Sequence, residues 1–179
     1  MQLSFGGRQR LRKFALRVTK TWLICLAVAV GAASSAWAQV ERIPLPHSDF
    51  PISQGVWVGD TLYLSGMMDP GVGGPSPGDT KTQTVNTLKN IQGALAAQNL
   101  SLGDVVLMHV YLAGDPGKGG KMDFSGFMAG YTQFFGTKEQ PNKPARSAMQ
   151  VAALAAPAGL VEIEVIAVKP KNKLAASTR

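Results

Sequence analysis

The order of strand-like and helix-like segments is the feature of this sequence that most restricts its fold. Along the chain the order is strand, strand, helix, strand, helix, strand, strand, without strict alternation. This order favours an α+β fold in which both helices lie on one side of a mostly antiparallel or mixed sheet. The segments lie at 55–58, 61–65, 80–98, 105–112, 123–135, 146–151 and 160–168.

Capping signals mark the starts of both helices. Thr80 and Gln83 have the spacing of a capping box, and Asp123 is a suitable cap for the second helix. Gly126 and Gly130 lie four residues apart in that second helix, and each weakens it by about 1 kcal/mol relative to Ala. We therefore predict that the glycine face of this helix is pressed against the sheet.

The last strand predicts an interface between copies of the chain. One of its faces is uniformly apolar and should pack under the helices, whereas the other mixes large apolar residues with two glutamates. A solvated face rarely carries that much apolar surface, and a closed core rarely carries two carboxylates. We therefore expect a homo-oligomer that buries part of this second face. The first face consists of Val161, Ile163, Val165 and Ala167, and the second of Leu160, Glu162, Glu164, Ile166 and Val168.

Residues 1–38 match the pattern of a secretory signal peptide. A basic start precedes an apolar run at 22–33 and the motif Ala36-Trp37-Ala38. We predict cleavage after Ala38 and a periplasmic or secreted protein with no membrane attachment after cleavage. The alternative is an uncleaved anchor, although a spanning helix needs about 20 apolar residues and this run is shorter. The mature chain then consists of a domain at 39–168 and a flexible basic tail at 169–179.

Charge and cysteine content exclude several classes of protein. Of the 18 Lys+Arg residues, six lie before position 21 and four after position 168, which leaves eight against 11 acidic residues in between. A nucleic-acid-binding domain would carry a basic surface, so we expect no nucleic-acid partner. A disulfide framework needs two cysteines, and this chain has one. Because Cys25, His47 and His109 share no ligand spacing, we predict no metal site.

Arg146 and Glu162 are the residues best suited to carry chemistry. The glycine-rich run beginning at Gly71 lacks a nucleotide-binding fingerprint, and we interpret His109 as a hydrogen-bonded histidine within a strand. Arg146, at the opening of one strand, offers a fixed fork for a carboxylate. Glu162, together with Glu164 on what we take to be the neighbouring strand, can have its pKa raised toward neutrality on a partly apolar face. Together they can hold an acid and move a proton, and a salt bridge between Arg146 and Glu162 at an interface is the alternative.

A series of short motifs runs in order through most of the mature chain. They are Pro51-x-Ser53-Gln54-Gly55, Ser65-Gly66, Gly78-Asp79 followed by Gln83-Thr84, Asn90-Ile91, Ser101-Leu102-x-Asp104-Val105-Val106, Asp123-Phe124, Tyr131-x-x-Phe134-Phe135, Pro144-Ala145-Arg146-Ser147, and Val161-Glu162-Ile163-Glu164-x-Ile166-Ala167. In this pattern, from about Pro51 to Val168, the chain resembles the RidA/YjgF family of reactive-intermediate deaminases.

The resemblance implies a chorismate-mutase-like α+β fold assembled as a homotrimer, with three clefts between subunits. It also implies cofactor-independent hydrolysis of 2-imino or enamine acids to 2-oxo acids and ammonia, the reaction of a 2-iminobutanoate/2-iminopropanoate deaminase. By position, Arg146 would pair with the substrate carboxylate and Glu162 would activate the attacking water. Backbone groups at Gly66 and Ala148 would orient this small-molecule substrate.

Three positions depart from the family's pattern. Ile52 and Met128 stand where the family has a tyrosine and an asparagine, and Ala148 stands where it has a cysteine. Because the first two changes remove polar groups, we expect a more apolar cleft that favours a larger or less polar ligand. The leading hypothesis is an exported imine hydrolase. The alternatives are a trimeric module that binds a small carboxylate without turnover and a ribonuclease, and the charge of the folded domain argues against the ribonuclease.

Overall fold

The computed structural model describes residues 39–170. The predicted signal peptide at 1–38 lies outside the described residues, and so does the predicted tail beyond Pro170.

One mixed sheet organises the described part of the chain. Its six strands are β1 (Val40–Pro44), β2 (Ser53–Val58), β3 (Thr61–Met67), β4 (Val105–Leu112), β5 (Ala145–Gln150) and β6 (Val161–Val168). They lie in the order β1-β2-β3-β6-β4-β5. β4 and β5 run parallel, and the other neighbouring pairs are antiparallel. The predicted α+β fold with a mixed sheet is confirmed.

Two features of this sheet differ from the sequence prediction. β1 was not expected, because its short Val-Glu-Arg-Ile-Pro run is mostly exposed and carries two charges. β4 lies between β5 and β6, so the prediction that Arg146 and Glu162 occupy neighbouring strands is wrong. Strand order depends on contacts between distant segments, which local sequence patterns do not contain.

The apolar core lies between the sheet and two helices, α1 (Thr80–Ala97) and α2 (Phe124–Tyr131). The alternate residues of β6 that were predicted to face the helices have at most 2% of their surface exposed. Burying one large aliphatic or aromatic side chain contributes about 1.5 to 3 kcal/mol, so this layer dominates the stability of the fold. The helices contribute the fully buried side chains Leu88, Ile91, Leu95 and Phe127.

The start of α1 differs from the predicted capping box. Asp79 is the cap, and its Oδ1 accepts a hydrogen bond from the Thr82 backbone N–H at 2.8 Å. Gln83 is instead fully buried, where its Nε2 donates to the carbonyl of Ala158 at 3.0 Å and its Oε1 accepts from the Leu160 N–H at 2.8 Å. Gln83 therefore connects α1 by hydrogen bonds to the loop that leads into β6, and it makes these long-range bonds instead of capping the helix.

The glycine face of α2 packs against α1, so the prediction that it packs against the sheet is wrong. A Cβ atom on Gly130 would lie 2.7 Å from Thr84 Cβ and 3.0 Å from the Lys81 carbonyl oxygen. Asp123 caps α2 as predicted, since its side chain accepts from the Gly126 N–H at 3.0 Å. The two helices therefore form one layer, and the opposite face of the sheet, which we call the open face, is not covered by either. Within residues 39–170 neither helix combines the length and the apolar character that a membrane span requires.

Candidate active site

Arg146 lies on the helix side of the sheet, on the edge strand β5. It is in register with Met108 of β4, which is fully buried in the core, and residues in register share a face. The guanidinium carbon lies 4.4 Å from the ring centroid of Tyr131, 5.0 Å from that of Phe127 and 6.0 Å from that of Phe124. Cation–π attraction therefore fixes the position of a permanent positive charge.

The charge of Arg146 is not neutralised within the described chain. The ion pairs found between residues 39 and 170 join other side chains. Among residues 39–170, the hydrogen bond of the guanidinium runs from Nη1 to the thioether sulfur of Met128, at 3.3 Å, and this sulfur is a weak acceptor. Such a half-buried guanidinium without an anion is suited to bind a carboxylate.

Glu162 lies on the open face, between the buried residues Val161 and Ile163 of β6. Partial burial of its carboxyl group raises its pKa above the ordinary value, and the negative charge of Glu164 raises it further. Its side chain makes no hydrogen bond to other residues in the 39–170 range. A carboxyl group with a raised pKa can accept and return protons closer to neutrality, which suits general acid–base catalysis.

The carboxylate of Glu162 lies in space that a side chain at Gly66 would fill. The pairing of β3 with β6 shifts between Leu64 and Met67, and this bulge directs Gly66 toward Glu162. A Cβ atom built on Gly66 would collide with Oε1 of Glu162 and lie 2.9 Å from its Cδ. The structure therefore brings Gly66 and Glu162 together, and only glycine leaves the carboxylate undisturbed.

Of the three other predicted site residues, two lie on the same side of the sheet as Arg146. Met128 and Ala148 lie on the helix side with Arg146, where both pack against the core. Ile52 lies in the loop before β2 with 49% of its surface exposed. Since the Arg146 group and the Glu162 group lie on opposite faces of the sheet, one copy of the chain cannot bring both to one small ligand.

A hydrogen-bonded cluster lies next to Glu162 on the open face. Glu164 Oε1 contacts His109 Nδ1 at 2.7 Å and accepts from the Tyr111 hydroxyl at 3.0 Å. The interpretation of His109 as a hydrogen-bonded strand histidine is confirmed. The hydrogen bond that the Tyr111 hydroxyl donates to Glu164 raises the pKa of Tyr111, and burial and the charges of both glutamates raise it further. Sequence reasoning missed Tyr111, because its place opposite Glu162 follows from the β4–β6 register alone.

Two cavities of the described chain are lined by neither Arg146 nor Glu162. One of about 550 Å³ lies beyond the ends of β4 and β5 and is lined by no charged side chain. A smaller one of about 150 Å³ lies on the open face and is lined in part by Tyr63, His109 and Glu164. Between residues 39 and 170, no three His, Cys, Asp or Glu side chains come together as metal ligands.

Comparisons with known proteins give consistent results. A family model described as Endoribonuclease L-PSP matches residues 44–169. A RutC family protein of Pyrococcus horikoshii is 37% identical over 131 residues, which cover 72% of this chain and 94% of that protein. The 2-iminobutanoate/2-iminopropanoate deaminase of Capra hircus is 40% identical over 126 residues, which cover 69% of this chain and 84% of that protein.

Solved structures share the fold. The crystal structure of Escherichia coli TdcF with bound serine is 32% identical, with a TM-score of 0.58. The match covers 73% of this chain and 98% of TdcF.

Proposed function

Because this chain belongs to the RidA/YjgF family, we propose that it hydrolyses 2-imino and enamine acids to 2-oxo acids and ammonia. The reaction needs no cofactor and takes place in a cleft formed by two copies of the chain. The observation that carries this proposal is the guanidinium of Arg146, which three aromatic rings hold in place without a carboxylate partner between residues 39 and 170. The name of the goat relative, a 2-iminobutanoate/2-iminopropanoate deaminase, supports the reaction type.

Two copies are required because Arg146 and Glu162 lie on opposite faces of one sheet. β5 forms an edge of the described sheet, so a neighbouring copy can approach Arg146 there. The open face supplies apolar contact area for such a neighbour, since Tyr63 is 45% exposed and Val168 is 38% exposed. We propose the homotrimer that the family resemblance implies, with Arg146 from one copy and Glu162 from the next in each cleft.

The residues suffice for a balanced hydrolysis. Arg146 binds the substrate carboxylate, and Glu162 takes a proton from water as the water oxygen bonds to the carbon of the protonated imine, whose nitrogen becomes an uncharged amine. Glu162 then returns this proton to the nitrogen and takes the hydroxyl proton as the C=O bond forms. The C–N bond breaks with its electron pair leaving on ammonia, which carries the remaining proton away as ammonium. The raised pKa of Glu162 favours this double role.

The substrate class follows from the apolar surroundings of Arg146. The ring of Phe124 is 41% exposed and lies 6.0 Å from the guanidinium carbon, and Met128 lies against Nη1. A carboxylate bound to Arg146 would place its side chain beside this apolar surface. We therefore propose imino acids with large apolar side chains as better substrates than 2-iminopropanoate.

The first experiment measures 2-oxo acid release from imino acids that an amino-acid oxidase generates in the cuvette. Wild-type protein should accelerate the release, and Arg146→Ala should abolish the acceleration. Arg42→Ala is the matched control, because Arg42 lies exposed on β1 and should leave the rate unchanged. An unaccelerated wild-type reaction with small and large imino acids alike would contradict the proposed activity.

A binding module without turnover is the second candidate. One copy of the chain supplies Arg146 and the residues around it, whereas Glu162 must come from another copy. Carboxylate binding therefore needs one copy, and catalysis needs two. Thermal shift with 2-oxo acids separates the two candidates. Stabilisation that depends on Arg146, without any turnover, would identify the module.

Export is a further part of the proposal. The signal pattern at 1–38 supports a location in the periplasm or outside the cell, so the substrates would arise there. N-terminal sequencing of the protein from cell fractions tests this directly. A mature chain beginning at Gln39 would support export, and an intact N-terminus in the membrane fraction would show an anchor instead.

A further inference from the structure

His109 is positioned to act on Glu162 through Glu164. β4 and β6 pair so that His109 lies opposite Glu164 and Tyr111 lies opposite Glu162, all on the open face. One oxygen of Glu164 contacts both His109 Nδ1, at 2.7 Å, and the Tyr111 hydroxyl, at 3.0 Å. An ionised carboxylate can only accept hydrogen bonds, so Nδ1 of His109 carries a hydrogen in this arrangement. His109 and Tyr111 together hold the Glu164 carboxylate in one place.

The carboxylate of Glu164 is the charged group that acts most directly on Glu162. The two residues are separated by one position on β6 and share a face, and the charge of Glu164 contributes to the raised pKa of Glu162. Whatever neutralises Glu164 therefore changes how readily Glu162 gives up its proton. His109 does this when it is an imidazolium, and much less when it is neutral.

No other cation competes for this role near Glu162 on the described sheet. The neighbouring strands contribute only Tyr63 of β3, and His109 and Tyr111 of β4, as titratable groups on the open face. β5 contributes no charged residue to that face, and Arg42 lies on β1, which β2 and β3 separate from β6. On the described sheet, protonated His109 is therefore the cation beside the Glu162–Glu164 pair. In the proposed cleft the guanidinium of Arg146 from the neighbouring copy is a second cation, and its charge is the same in wild-type protein and in His109 variants.

We propose that His109 is a positioning residue for the hydrolysis: by compensating the charge of Glu164, it controls the proton exchange of Glu162. This inference rests on the proposed function, in which Glu162 activates the water. Its consequence is an acidic limb in the pH profile of kcat/KM whose position depends on His109. Loss of the imidazolium leaves Glu164 uncompensated, so the limb moves to higher pH.

The size of the shift follows from the geometry of the strand pair. Diagonal neighbours on adjacent antiparallel strands lie about 7 to 8 Å apart. Coulomb's law at that distance, with an effective dielectric constant between about 80 and 20, gives a shift of roughly 0.4 to 1.6 pH units. A purely structural role of His109 would lower kcat/KM at every pH without moving the limb.

Two variants and one control separate charge from hydrogen bonding. His109→Gln keeps a donor for Glu164 but never carries a charge, and His109→Ala removes both. We expect both variants to shift the acidic limb upward, whereas Tyr63→Phe, on the same face but without a hydrogen bond to either glutamate, should leave it in place. A limb that stays at its wild-type position in His109→Gln would overturn the inference, because the hydrogen bond alone would then suffice.

A second measurement works even if the protein turns over no imino acid. Carboxyl ¹³C NMR of glutamate-labelled protein follows Glu162 directly, and Glu162→Gln identifies its resonance. In His109→Gln the midpoint of the Glu162 titration should rise by the same amount as the kinetic limb. An unchanged midpoint would refute the role of His109, whereas a raised midpoint without turnover would refute only the proposed reaction. A circular dichroism melt of each variant confirms that it is folded.

Discussion

Gly66→Ala should impair catalysis while the fold survives. The added methyl group would collide with Oε1 of Glu162 and lie 2.9 Å from its Cδ, closer than carbon atoms approach in folded proteins. Ordinary contact begins near 3.4 Å, so Cδ must retreat by at least about 0.5 Å and Oε1 by more, or the carboxyl group must rotate away. The atom that must move is the end of a flexible side chain, and the surrounding backbone can stay where it is.

The expected loss of activity is large compared with the loss of stability. A displacement of about 1 Å of a catalytic group can reduce the rate about 100-fold. The free energy of unfolding should change by less than about 1 kcal/mol, because Gly66 and Glu162 are both accessible enough to relax. We therefore expect kcat/KM to fall about 100-fold at an almost unchanged melting temperature.

The assay is the oxidase-coupled release of 2-oxo acid, together with a thermal melt of the same preparation. Gly73→Ala serves as the control, since a Cβ atom at Gly73 would meet nothing within 4 Å. Gly66→Ala with wild-type kcat/KM would refute the placement of Glu162 in the active site. A collapse of the melting temperature would show instead that Gly66 is required for the fold.

Three further outcomes follow from the structure. Below the raised pKa of Glu162, kcat/KM should fall about tenfold per pH unit because the base becomes protonated, and Glu162→Gln should be inactive across the whole profile. Asp79→Ala should lower the free energy of unfolding by about 1 kcal/mol in urea titrations. Because the folded protein lowers the pKa of Asp79, the difference in stability between wild type and variant should be fully present above pH 3.8. It should disappear as the pH falls through the lowered pKa of the folded state. Gly130→Ala should destabilise by about 1 to 3 kcal/mol through overpacking against Thr84, whereas Gly93→Ala, with open space around its Cβ position, should stabilise by roughly 0.5 to 1 kcal/mol.

Local patterns in the sequence predicted the elements of the fold well. The alternation in 161–168 identified the buried face of β6, and the β-branched run at 105–112 gave the bounds of β4. Both signals depend on the side-chain period of a strand, which neighbouring residues determine. The motifs that led to the family also placed Arg146 and Glu162 among the functional candidates.

Features that depend on distant contacts were predicted less well. The insertion of β4 between β5 and β6 means that Arg146 and Glu162 do not lie on neighbouring strands, and the register of these strands puts the two residues on opposite faces. Gln83 has the spacing of a local cap but serves a long-range bond to Leu160. Tyr111 became a candidate only through its register with Glu162. In each case the residue that determines the outcome is distant in sequence, and the periodicity of a local segment carries no information about such contacts.

The central claim is that each active site combines Arg146 of one copy with Glu162 of another. The most direct test of this claim uses two inactive variants, Arg146→Ala and Glu162→Gln. Their subunits are mixed, dissociated and reassembled together, and the activity of the mixed oligomers is measured. In a cyclic assembly with random equal mixing, about a quarter of the sites receive an intact arginine and an intact glutamate from different copies. The account predicts recovery of about a quarter of the wild-type kcat/KM per site. Reassembled mixed oligomers that remain as inactive as their parents would contradict it.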